Sequence, residues 1–343
     1  MDYKLLNALK KIIPNEIEIL HKRYDILSLI KKNQPIGRRS LAKALNSTEK
    51  IIRNEIEFLK SIGYVEASSS GMHITKEGDF VLHDIEGIIY SLNDLYELEL
   101  QVKQILNCEK VIVVLGDTDQ DKKVKEDIGK AAAKVLMGMI KEDTIIAIAG
   151  GSTVYHVIQS VKTTKKNSDV LVLPARGSLR NNVEYQANSL VASLADKLSS
   201  KYELLNIPDN LSRKTLDSVK NEPDIQSTIN KILKANIILC GIGNAYEMAE
   251  KRNLATPFID FLERKEAVSE ALGYYFNKKG EIVYTSRSIG IKLEQMTKTA
   301  YPIAVAGGKR KANAILSVKD FMKKGCLIID EGAAREIIRI NQL

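Results

Sequence analysis

Apolar positions along the chain change their period twice, and the changes mark out three regions. From Leu5 to Leu20, the residues Leu5, Leu9, Ile12, Ile13, Ile17 and Leu20 recur at helical spacing, with a break expected near Pro14. A helix over 24–31 follows, buried through Ile26, Leu27 and Ile30, and Pro35-Ile36-Gly37 ends it. A second helix, 39–45, buries Leu41, Ala44 and Leu45. Asn46-Ser47-Thr48 makes a tight turn whose hydroxyls can cap a third helix. That helix runs to about Ser61 on Ile52, Ile56 and Leu59, and Gly63 ends it. Tyr64-Val65-Glu66 and Met72-His73-Ile74 then flank Ala67-Ser68-Ser69-Ser70-Gly71, a loop suited to a β-wing. Three helices, a tight turn and a hairpin predict a winged helix-turn-helix domain over 1–78, including the N-terminal helix.

The second region has a different rhythm. Ile85, Ile88, Leu92, Leu95, Glu99, Val102 and Leu106 alternate spacings of three and four, a heptad seam with one charged member. This predicts a helical linker over 79–108 that dimerises the chain. The alternative is a helix packed on its own domain.

From Lys110 onward, strands and helices alternate. Uninterrupted Val/Ile/Leu runs fall at 111–115, 145–149, 170–173, 237–240, 303–306 and 327–329. Such runs mean strands covered on both faces. The prediction for 109–343 is therefore an α/β, Rossmann-like, doubly wound and mainly parallel sheet.

Composition narrows the function classes. The chain has 343 residues, too many for one ordinary core, and no apolar run long enough to span a membrane. Met1-Asp2-Tyr3-Lys4 leads into an amphipathic pattern rather than a signal peptide. Cys108, Cys240 and Cys326 lie far apart in or beside apolar runs, as core thiols of a reducing cytoplasm do. His21, His73, His83 and His156 show no metal-ligand spacing, so neither a metal nor a cofactor is expected.

Charge is uneven. Residues 1–62 hold thirteen Lys/Arg against seven Asp/Glu, so +6 of the net +8 sits there. A basic module on a nearly neutral body points to a polyanion partner. On the third helix, Lys50, Arg53, Asn54, Glu57 and Lys60 form an exposed stripe. Lys50, Arg53 and Asn54 lie near its N-terminus, the part that reaches base edges. Arg38 and Arg39 start the second helix, where phosphate contacts fall. Operator DNA is the expected partner, although winged helices also serve as protein-binding modules.

In a doubly wound sheet, ligands bind beyond the carboxyl ends of the strands. The loops there are Gly150-Gly151-Ser152-Thr153, Pro174-Ala175-Arg176-Gly177-Ser178, Gly241-Ile242-Gly243-Asn244-Ala245 and Ala306-Gly307-Gly308-Lys309-Arg310-Lys311. Three are glycine-rich and two carry cations. Glycines let backbone N–H groups approach an anion, Ser152 and Thr153 add hydroxyls, and the following helix favours negative charge. A glycine pair can also be a tight strand-helix turn and nothing more. Gly-Ile-Gly lacks the third glycine of a dinucleotide fingerprint, and Gly-Gly-Ser-Thr lacks a Walker lysine. A small phosphorylated ligand is the better fit.

Several motifs together make a more specific pattern. They are Gly150-Gly151-Ser152-Thr153, Ala175-Arg176-Gly177, Glu184-Tyr185-Gln186-Ala187-Asn188, Gly241-Ile242-Gly243-Asn244-Ala245, Arg252-Asn253, Glu270-Ala271-Leu272-Gly273-Tyr274-Tyr275-Phe276 and Ala304-Val305-Ala306-Gly307-Gly308. The set resembles the SorC family of transcriptional regulators over nearly the whole chain. The resemblance implies a repressor of a glycolytic operon with fructose-1,6-bisphosphate as effector, acting as a homodimer or tetramer. It also implies site roles. Gly151, Ser152 and Thr153 would hold one phosphate with Lys311; Arg176 and Arg252, with Lys251, would hold the other. Gln186 and Glu270 would bond sugar hydroxyls. Ser152 departs from the family's usual threonine but keeps the hydroxyl, and Lys309-Arg310 crowd the choice of lysine in the last loop.

The rival class is a sugar-phosphate isomerase or aminosugar-phosphate deaminase with an accessory winged helix. Enzymes resembling glucosamine-phosphate deaminases place Asp and His after Gly-x-Gly, where this chain has Ala245 and Glu247. No catalytic residue is assigned, with Glu270 the one conceivable base. A DNA-binding scaffold without a ligand would leave the glycine-rich loops without a role.

Overall fold

Pro14 begins a helix that does not stop at Leu20. Helix α1 runs from Pro14–Asn33 with proline in its first turn, where a missing N–H costs nothing. It therefore fuses the expected N-terminal helix with the expected 24–31 helix. The computed structural model describes residues 9, 12–92, 94–164, 166–177, 183–208, 212–252, 254–293 and 300–342. Leu5 lies outside them. Two compact units divide the chain, Met1–Tyr96 and Glu97–Leu343.

In the first unit, α2 (Arg38–Ala44) and α3 (Glu49–Ser61) follow α1. Thr48 Oγ1 accepts a hydrogen bond from Ile51 N–H and caps α3. Strands β1 (Val65–Ser68) and β2 (Gly71–Ile74) make the wing, and Ile36 bridges to Met72. Pairing extends to Ser68 and Gly71, so the wing turn is shorter than the expected five-residue loop. One core joins them: Ile26, Leu27, Ile30, Leu41, Ala42, Ile52, Ile56, Leu59, Val65 and Met72. Ala42 takes the place expected of Ala44, which is exposed, because Leu41 and Ala42 face α1 and α3 on a helix of only two turns.

The linker is not one helix. Helix α4 (Lys76–Leu92) and helix α5 (Leu95–Leu106) are separated at Asp94, whose φ is +60°. Ile89 and Leu92 are buried from α4, and Leu95, Leu98, Val102 and Leu106 from α5, so much of the expected seam is spent within the chain. Glu99, the charged member, accepts a hydrogen bond from Val113 N–H on a sheet edge at 2.8 Å. It ties α5 to the strand Lys110–Val114 within the second unit.

The six apolar runs all become strands: β3 (Lys110–Val114), β4 (Ile145–Ile148), β5 (Leu171–Pro174), β7 (Ile237–Gly241), β12 (Tyr301–Val305) and β13 (Cys326–Asp330). A seventh, β6 (Lys201–Tyr202), extends the sheet beyond β5. The order is β3-β13-β12-β7-β4-β5-β6, with every pair parallel. The intervening helices are α6 (Val124–Met139), α7 (Ser152–Ser160), α8 (Ala187–Leu198), α9 (Arg213–Lys220), α10 (Pro223–Ile232), α11 (Ala245–Lys251), α12 (Thr256–Arg264), α13 (Ala312–Ser317) and α14 (Glu331–Asn341). The core packs strand residues Ile146, Ile148, Val172 and Leu239 against Ile128, Leu136, Val157 and Leu194 of the helices.

A second sheet has no apolar-run signature. Strands β8 (Gly243–Asn244), β9 (Ala267–Ala271), β10 (Tyr274–Asn277) and β11 (Ile282–Thr285) form an antiparallel sheet in the order β11-β10-β9-β8. Its core is aromatic, with Tyr275 fully buried and edge-on to Phe258 and Tyr284.

Candidate functional site

Strand order places the crevice. The chain leaves β4 for β5 and β6 on one side, then returns to β7, β12 and β13 on the other. The reversal lies between β4 and β7, and ligands bind outside such a switch point. The loops after β4, β5, β7 and β12 all open there.

After β4, Gly151 N–H donates to the Tyr185 carbonyl at 2.9 Å. Gly151 holds φ +144°, a backbone region that side chains strain. The next residue, Ser152, starts α7, and Tyr155 N–H makes a helical bond to Gly151 O. The first-turn N–H groups therefore point out into the crevice. Thr153 is buried and Ser152 half-buried. Gln186 stands at the N-cap position of α8 without a side-chain capping bond, one residue after the carbonyl that holds Gly151.

From the last loop, Lys311 Nζ donates to the Ile242 carbonyl at 3.1 Å. Burial of its ammonium, with Lys251 and Lys125 nearby, pushes its pKa down to about 8. Lys251 is exposed and lies 4.0 Å from Glu247.

Arg176, Arg252 and Glu270 form a buried ion cluster. Glu270 Oε1 accepts from Arg252 Nη2 at 2.7 Å, Arg176 Nη1 at 3.1 Å and Gly273 N–H at 2.6 Å. The side chains are 4–7% exposed. Burial alone would raise the Glu270 pKa, but Arg252 and then Arg176 hold it below the ordinary carboxylate value. Arg252 also donates to the Tyr275 hydroxyl. Gly273, at φ +89°, leaves room for the Arg176 guanidinium, which a Cβ there would meet at 2.7 Å. A carboxylate whose Oε1 accepts from two guanidiniums and an N–H, and whose pKa is held low, is a poor general base. Ser178 and Asn253 lie outside the described residues.

Two features of the site carry no glycine-loop signal. Asp330, at the end of β13, is fully buried; its Oδ2 accepts from Thr118 N–H and Gly308 N–H, both at 2.7 Å. Its Oδ1 caps α14 through Ala333 N–H. One side chain thus pins two loops of the crevice together. The other is Lys125, in the first turn of α6, whose Nζ lies 3.4 Å from Ser152 Oγ. Burial lowers its pKa, helped by Lys251 and Lys122. A cation in a helix's first turn opposes the macrodipole, and that was the signal available in the sequence. Nearby, Asp119 accepts from Arg310 N–H and Nε; these bonds overcome burial and hold its pKa low.

In the first unit, Arg38, Arg39, Lys50, Arg53, Asn54, Glu57 and Lys60 are all exposed, over a helix that buries Ile52, Ile56 and Leu59. Arg39 Nε lies 3.4 Å from Glu49. A groove of about 340 Å³ runs between α3 and the wing, bordered by Arg38, Lys60 and Ser68 to Ser70. Cations and hydroxyls border this groove, with Glu57 also on its edge, 3.8 Å from Lys60.

Among the described residues, no helix is long and apolar enough to cross a membrane, and no His/Cys/Asp/Glu group has the arrangement to hold a metal.

Comparison with known proteins bears on both units. Residues 19–89 match the family model of the CggR N-terminal DNA binding domain, and residues 90–339 match that of a sugar-binding domain. The chain is 38% identical over 336 residues to the central glycolytic genes regulator of Priestia megaterium, covering 98% of each. A SorC family transcriptional regulator from Enterococcus faecalis superposes with a TM-score of 0.66 at 36% identity, over 71% of this chain and 99% of that one. The full-length sorbitol operon regulator SorC of Klebsiella pneumoniae shares the fold, with a TM-score of 0.64 at 16% identity over 94% of this chain and 99% of that one.

Proposed function

Because this chain belongs to the SorC family of sugar-binding transcriptional regulators, we propose that it represses a glycolytic operon and is released from its operator by a phosphorylated sugar, fructose-1,6-bisphosphate. The observation that carries the effector reading is at the switch point. There the open first turn of α7 and the buried ammonium of Lys311 stand in one crevice, in a chain that also bears a DNA-binding domain. A helix N-terminus, two hydroxyls and a desolvated ammonium suit a phosphate. The Arg176–Glu270–Arg252 unit supports the sensor reading over an enzyme, since its carboxylate is held ionised by two guanidiniums. Two reading heads on one operator imply a homodimer or tetramer in the cytoplasm.

The test is an operator gel-shift titration with fructose-1,6-bisphosphate. Wild type should release operator DNA as the sugar is added, and operator DNA should weaken sugar binding by the same factor. Thr153→Val, which removes one hydroxyl from the cradle, should bind operator normally but respond only at higher sugar concentration. Operator binding by wild type that no sugar phosphate changes would overturn the reading.

A further inference from the structure

Helices α6 and α7 lie side by side and point the same way. At Gly129 of α6 an added Cβ would meet the His156 carbonyl of α7 at 2.5 Å, so the two backbones touch there. One turn earlier on each helix stand Lys125 and Ser152, whose Nζ and Oγ are 3.4 Å apart. The two contacts are each four residues apart on both helices, so this is one parallel packing with its first turns together. Gly129 thus sets how closely Lys125 approaches the start of α7.

Three ammoniums meet at this place from three separate elements: Lys125 from α6, Lys251 from α11 and Lys311 from the loop after β12. Burial makes both Lys125 and Lys311 more acidic; Lys251 and Lys122 add to the effect on Lys125, and Lys251 and Lys125 to that on Lys311. The carboxylates facing them are Glu247 and Asp119, and Asp119 is already held by Arg310. The cluster keeps an excess of positive charge beside a helix N-terminus. Such a concentration of like charge is unfavourable without an anion and favourable with one.

We propose that Lys125 is a ligand of the effector's phosphate, reaching the Gly151-Ser152-Thr153 loop from α6 at Ser152. The inference rests on the phosphorylated-sugar reading given above. Lys125 lies on a helix flank rather than in any strand-end loop, and it supplies a charge-assisted bond that the backbone N–H groups cannot. It also selects for phosphate over an uncharged sugar at this end of the ligand.

The experiment is calorimetric titration and thermal melting of the full chain with fructose-1,6-bisphosphate, and with fructose as the uncharged control. Lys125→Met should weaken bisphosphate binding about ten- to hundredfold, as expected for losing one charge-assisted bond. It should also flatten the dependence of affinity on salt. Lys125→Arg should recover most of the affinity, and Lys134→Ala, an exposed lysine further along α6, should leave it unchanged. A structural role alone would lower melting temperature without flattening the salt dependence. If wild type binds the bisphosphate and Lys125→Met binds within threefold of it, Lys125 is no ligand and the effector reading stands. If wild type shows no response to the bisphosphate, the effector reading falls and this inference with it. Should Lys125→Met fail to fold, Lys125→Gln with Lys125→Arg gives the same comparison.

Discussion

Lys311→Met should move stability and effector binding in opposite directions. The ordinary lysine pKa of 10.5 falls to about 8 here. At about 1.4 kcal/mol per unit, that is roughly 3 kcal/mol of destabilisation from keeping the ammonium charged in its buried place. Because the folded-state pKa is depressed, this cost is fully present below pH 8. It shrinks as pH rises from 8 towards 10.5, where both states are neutral. Methionine has a similar shape and no charge, so it removes the cost. It also gives up the bond to the Ile242 carbonyl, worth about 1 kcal/mol. The net expectation at pH 7 is a variant more stable than wild type by about 2 kcal/mol. For a domain of this size that raises the melting temperature by about 4–8 °C. The advantage should narrow by about 1 kcal/mol between pH 7 and pH 9. Meanwhile the bisphosphate should stabilise wild type and scarcely affect the variant. Fluorimetric melting of both proteins at pH 7, 8 and 9, with and without fructose-1,6-bisphosphate, reads all of this. A variant less stable than wild type at pH 7, with a pH-independent difference, would refute the claim that a desolvated charge is stored at this position.

Arg53→Ala, on the exposed stripe of α3, should weaken operator binding by about 1–3 kcal/mol in gel shifts at fixed salt if it reads a base; unchanged binding removes it from the reading head. Glu270→Gln leaves two buried guanidiniums on a neutral amide and should cost about 3–5 kcal/mol in urea unfolding at pH 7. Since the folded Glu270 pKa lies below 4.5, wild type should lose that contribution as pH falls from there through the lowered value, while the variant shows no matching loss. Glu99→Ala strips the acceptor from Val113 N–H at the sheet edge and should cost about 1–2 kcal/mol; no change in unfolding midpoint would mean α5 is held by its apolar face alone.

Period and local chemistry along the chain carry the strands and the DNA-binding helices. Six strands were legible because a strand buried on both faces must be apolar throughout, and 145–149 and 303–306 read that way in isolation. The three helices of the DNA-binding unit were legible from caps and stripes, as at Thr48 and Ile52, Ile56 and Leu59. The strand-to-helix loop at 150–153 was legible because two glycines end the apolar run and a helical pattern begins directly after them. Tertiary structure decided the rest, wherever a residue's partner lies far away in the chain. The 85–106 pattern fits a coiled-coil seam and a packed helix equally well, and the break at Asp94 and the Glu99 bond to a strand edge come only with the fold. The antiparallel sheet buries Ser269 and Glu270 amid its apolar residues, so no apolar run announces β9; those polar groups are satisfied by Ser317 and by two distant arginines. Asp330 and Lys125 belong to the same class. Spacing along the chain records which face of an element is buried, but the site depends on which charges that burial brings together. That is set by the order of strands and by how closely α6 can lie against α7.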